Sequence, residues 1–166
     1  MINLRLILIY ILVFWLLAYG FMTLSYLFDI DLAERIRHSS ALQDEMNKKQ
    51  YAASLTHLGV IKALGYLFGC FLAFTLTLFA GGRKPKFYWL HSTIALLVFI
   101  VLNLADLTGW GFLKIIFLAP GQLTNGSWYY LINGGIMIVI GMSLLSVSKT
   151  GASDSAGKVE AKAAFR

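Results

Sequence analysis

Apolar residues in this chain gather into four long blocks, at positions 6–28, 57–79, 87–108 and 128–147, instead of alternating with polar ones. Each block is close to the roughly 20 residues that an α-helix needs to cross the hydrocarbon core of a bilayer. Lipid offers no hydrogen-bond partner to backbone N–H and C=O groups, so a spanning segment must satisfy them internally, as a helix does. The pattern predicts an all-α membrane protein, a four-transmembrane-helix bundle that makes one domain of residues 1–147.

The connections have distinct characters. Residues 29–56 mix Asp29, Asp31, Glu34, Asp44 and Glu45 with Arg35, Arg37, Lys48 and Lys49. Within them, Ser40 followed by Gln43 has the spacing of a capping box. Leu42, Met46 and Ala53 then recur at approximately helical intervals, which predicts an extramembrane helical segment between the first two spans. Gly81-Gly82-Arg83-Lys84-Pro85-Lys86 is a short basic turn. After Gly109-Trp110-Gly111, the apolar stretch 112–119, with Lys114 inside it and Pro120 after it, is too short to span. It is expected as a short interfacial or re-entrant segment between the last two spans. Residues 148–166, rich in Ala, Ser, Gly and Lys, are expected as a flexible cytoplasmic tail.

Charge orients the pattern. Cytoplasmic loops carry the excess of Lys and Arg, and Arg5, the Arg83/Lys84/Lys86 turn and Lys149, Lys158, Lys162 and Arg166 all fall on one side of a four-span chain. Both termini are therefore expected in the cytoplasm. Trp89, Trp110 and Trp128, with Tyr88, Tyr129 and Tyr130, fall at block ends where interfacial aromatic belts form. The first block is longer than a signal-peptide core and ends in a poor cleavage site, so it is expected as an uncleaved anchor. Short loops lean towards a bacterial inner membrane.

Composition supports this picture: 58% of residues are hydrophobic and 13% charged, about half the charged share of a soluble domain. The formal charge of +6 sits beside apolar blocks and forms no aromatic-interleaved stripe, so no nucleic acid partner is expected. Cys70 is the one cysteine, which excludes a disulfide or a thiolate zinc site within the chain.

Candidate chemistry is sparse. Lys62 and Asp106 are the ionisable residues inside blocks that invite a mechanism, and intramembrane charges usually face the bundle interior and pair. Helical rise sets them at similar depth on antiparallel neighbours. With Asn103, one turn from Asp106, and Asn133 in the fourth block, they outline a candidate polar pocket or intramembrane ion pair near the outer face. The plain alternative has Lys62 snorkelling to the interface and Asp106 separately hydrated. His57 and His91 fall at opposite ends of their blocks, too far apart to share one haem, and His38 with His57 lacks the further ligands of a metal site. No cofactor or metal is implied, and no catalytic residue is assigned. Gly65, Gly69 and Ala73, spaced every fourth residue, and Gly134, Gly135 and Gly141 form expected helix-packing faces. Asn125-Gly126-Ser127 has the form of a glycosylation acceptor but adjoins the fourth block too closely to be read as used.

The resulting expectation is an accessory, assembly or scaffold subunit of a membrane complex. Its partners are the lipid bilayer and either another membrane protein or further copies of itself. Two alternatives stand beside it: a small transporter or channel component with the outer polar pocket, and a membrane enzyme or redox protein acting on a lipid or quinone.

Overall fold

The computed structural model describes residues 3–37, 48–80, 88–104 and 124–163, which are almost entirely helical. Helix α1 (Leu4–Ser25) starts where Asn3 adopts extended backbone and its side chain accepts the Leu6 N–H at 3.4 Å, a side-chain N-cap. It tightens into a 3-10 turn at Tyr26–Asp29 and resumes as α2 (Ile30–Arg37). Asp29 Oδ1 accepts the Leu32 N–H. Asp31 in the first turn of α2 and Arg35 and Arg37 in its last complement the helix dipole. Helix α3 is Lys48–Ala80, α4 is Tyr88–Leu104 and α5 is Ser127–Ala163. Gly126, at φ +63°, turns the chain into α5 through a left-handed conformation that glycine adopts without strain.

Among the described residues, three helical stretches are long and apolar enough to cross a membrane: Leu4–Arg37, Gln50–Ala80 and Ser127–Ser148. The fourth apolar helix is shorter over its described part, Trp89–Asn103.

Two boundaries differ from expectation. The polar connection after the first block does not leave the helix: helical structure runs on to Arg37, and α3 begins at Lys48, ahead of the apolar block. Ala53 therefore belongs to the same helix as the second block, and it is exposed. The Ser40, Gln43, Leu42 and Met46 positions lie outside the described residues. Likewise the chain remains helical past Val147 to Ala163, where composition suggested a flexible tail. A helix that is already formed extends without a nucleation cost, and Ala, Lys and Glu propagate it against the roughly 1 kcal/mol penalty of each of Gly151 and Gly157.

Helix α1 is the centre of the fold. Val13, Phe14, Trp15, Leu16, Leu17 and Ala18 are each 0% exposed. Six consecutive residues cover the whole helical circumference, so α1 is enclosed on every side. It packs on α3, α4 and α5, which touch one another much less. At one end of the bundle the Asn3 N–H donates to His91 Nε2 at 2.9 Å, joining the starts of α1 and α4. At the other end Asp29 meets His57 and Tyr26 meets Tyr130, joining the end of α1 to the early turns of α3 and α5. Successive long helices thus alternate in direction. Near the His91 end, buried Thr77 and Ser92 bond across α3 and α4. Thr77 gives its proton to the Phe74 carbonyl, so Ser92 is the donor of that link.

Candidate functional site

The α1–α3 seam is set by glycine. A Cβ at Gly69 would lie 2.5 Å from the Leu17 carbonyl oxygen and 2.7 Å from Ala18 Cα, and one at Gly65 would lie 2.6 Å from the Ser25 side chain. Ala73, one turn further, is fully buried. The α1–α5 crossing is equally close: a Cβ on Gly20 would lie 3.1 Å from the Gly134 carbonyl oxygen, and one on Gly134 would lie 2.8 Å from that of Gly20. Gly141 makes a looser contact with Leu16 and Leu17. Gly135 departs from expectation, because a Cβ there meets nothing within 4 Å. On a 3.6-residue helix, the neighbour of a glycine at the contact line points about 100° away.

Beside this seam opens a cleft of about 400 Å³ lined by Tyr19, Met22, Gly59, Lys62, Tyr66 and Leu67. Lys62 is on its exposed rim. The Tyr19 hydroxyl donates to Asn103 Oδ1 at 3.2 Å, and Asn103 Nδ2 donates to the Phe99 carbonyl at 2.8 Å. Tyr66 meets Tyr19 edge-on, with ring centroids 5.7 Å apart, and stacks on Phe99. Lys62 thus shares a cleft with two phenols, and Asn103 bonds one of them, Tyr19. Neither tyrosine stood out in the sequence, although Tyr66 is one helical turn from Lys62 and Tyr19 is a hydroxyl inside an apolar block. Asn133 is fully buried on α5 and does not line the cleft. Asp106 lies outside the described residues, as does segment 112–119.

The end of α1 carries a second polar group. His57 Nε2 is 3.4 Å from Asp29 Oδ2. Arg37 pairs with Glu34 at 3.3 Å and places its guanidinium 3.6 Å from the centre of the Tyr129 ring, a cation–π contact. Tyr129, Tyr130 and Tyr26 follow in a chain of ring contacts. The sequence marked the two tyrosines at 129 and 130 as belt residues. Their engagement by α2 depends on the helix continuing past Asp29.

Comparison with protein-family models, curated proteins and solved structures finds no match to this chain. Function must therefore be argued from these groups alone. The cleft offers a cation and two phenols, the Tyr19 hydroxyl being bonded to Asn103 outside the lining, a set that binds a hydrogen-bond acceptor or an anion. Among the described residues, no three His, Cys, Asp or Glu side chains gather as metal ligands would. His91 is buried and accepts the Asn3 N–H through Nε2, a structural role.

Proposed function

We propose that the chain is a four-span protein of a bacterial inner membrane with both termini in the cytoplasm, and that it acts as an accessory, assembly or scaffold subunit of a membrane complex. The observation that carries this reading is the arrangement of helices around α1. Because α3, α4 and α5 pack mainly on the central helix, they turn broad apolar faces outward, among them Leu67 and Phe71 on α3 and Val139 and Met142 on α5. Helix association in lipid is driven by close packing of such faces. The Gly65/Gly69/Ala73 face is occupied by α1, so a partner would meet the outward faces, including the open Gly135 position.

A second reading is favoured by the cleft: a small transport component in which Lys62, Tyr19 and Tyr66 contact a polar solute and Asn103 positions the Tyr19 hydroxyl. Extraction in a mild detergent followed by native mass spectrometry separates the two. A larger membrane protein held in fixed ratio is the expected outcome. A self-contained particle carrying a bound small molecule that is lost in Lys62→Met would overturn the accessory reading in favour of the second.

A further inference from the structure

On the other side of the α1–α3 seam from Lys62, the same helices leave an apolar groove of about 870 Å³. Its walls are Phe21, Leu24 and Phe28 on one side and Ile61, Leu64 and Phe68 on the other. The groove is closed at one end. There the Phe21 and Phe68 rings meet edge-to-face at 5.0 Å, and directly beyond them Gly69 brings the α3 backbone against Leu17. At its other end, one turn from Ile61, stands the Asp29–His57 pair.

The length of the groove discriminates between occupants. Between His57 and Phe68, α3 rises about 16 Å at 1.5 Å per residue, half of the roughly 30 Å hydrocarbon core. The groove between α1 and α3 ends at the glycine crossing, whereas the outer surface of α3 on which a partner helix would lie runs on past it through Phe71 and Phe79. An acyl chain, which belongs to a single leaflet, fits the groove.

The polar mouth discriminates further. It offers a carboxylate and an imidazole side by side, with side chains 33% and 62% exposed. A phosphoethanolamine headgroup suits this pair: its ammonium has N–H donors for Asp29, and its phosphate oxygens accept the His57 ring N–H once the ammonium has taken the place of that ring at Asp29. A trimethylammonium group has no N–H to donate. We propose that this groove is a phospholipid site of the outer leaflet, taking an acyl chain between α1 and α3 and a phosphoethanolamine headgroup at Asp29 and His57. The assignment rests on the membrane-spanning reading and is independent of the accessory role.

The test uses the full chain in nanodiscs containing equal amounts of phosphatidylethanolamine and phosphatidylcholine, with retained lipids identified by native mass spectrometry. Wild type is expected to retain phosphatidylethanolamine over phosphatidylcholine by about tenfold, the equivalent of one charge-assisted hydrogen bond. Leu64→Trp fills the groove and should remove the retained lipid, with unchanged circular dichroism showing that the fold survives. Asp29→Asn alters no apolar contact; it should keep a lipid bound and lose the headgroup preference. Equal retention by wild type and Leu64→Trp overturns the proposal, and so does an undiminished preference in Asp29→Asn. A protein, instead of lipid, photocross-linked from position 64 would also overturn it. Because the lipid readout needs no partner subunit, its failure is distinct from failure of the accessory reading.

Discussion

At the scale of single residues, glycine decides how closely the helices approach, and its effect depends on which way the missing side chain would point. Gly69→Ala puts a methyl group 2.5 Å from the Leu17 carbonyl oxygen, a backbone atom that moves only if the helices separate. The expected cost is about 1–3 kcal/mol, the range for overpacking a tight contact. Gly135→Ala meets open space and gains up to roughly 1 kcal/mol of helix propensity, so it should be neutral or slightly stabilising. Reversible unfolding in mixed micelles checks both, and equal effects would show that the α1–α3 seam is looser than its geometry implies. The small-residue spacing of Gly65, Gly69 and Ala73 was legible in the sequence; that Gly134 belongs to a crossing and Gly135 does not was not. Both are glycines in an apolar run, and only the rotation of α5 against Gly20 separates them.

At the scale of elements, α1 shows why a uniformly apolar helix is hard to read. A stripe of apolar residues tells which side of a helix is buried. Residues 4–25 have almost no polar side to contrast with, and over residues 13–18 the helix is enclosed all round. Its start is held from another element, because the Asn3 N–H donates to His91 while the Asn3 carbonyl and side chain receive the Ile7 and Leu6 amides. His91→Ala deletes the acceptor that α4 supplies to the Asn3 N–H. Losing a hydrogen bond of this kind, worth about 1.4 kcal/mol at the upper end of the usual range, should speed amide exchange at Leu6 and Ile7 by roughly tenfold while leaving the centre of α1 protected. Exchange rates equal to wild type would show that the first turn does not depend on α4. After Phe28 and after Val147, polar residues marked an expected exit from the membrane, and helical structure continues past both. They do mark a change of polarity, but a helix can cross such a change without ending.

At the scale of the whole molecule, alternating helix direction follows from contacts at the two ends, and the charge distribution predicts which end faces the cytoplasm. With four spans, reporters fused after Arg166 and before Met1 should both report the cytoplasm, whereas a thiol introduced at Thr124 in a Cys70→Ser background should react with an impermeant reagent from outside. Opposite locations for the two termini would mean that the segment containing α4 does not span. The sequence by itself determined that the chain is helical, that its long apolar segments suit a bilayer and which connections carry positive charge, because these depend on composition along the chain and on the hydrogen-bonding demands of lipid. Which helix sits at the centre, which glycines touch backbone, how Lys62 comes to share a cleft with Tyr19 and Tyr66, and how Asp29 reaches His57 were decided only by the tertiary structure. Helices apolar on every side carry no local mark of their rotation, and close packing against neighbours chooses it.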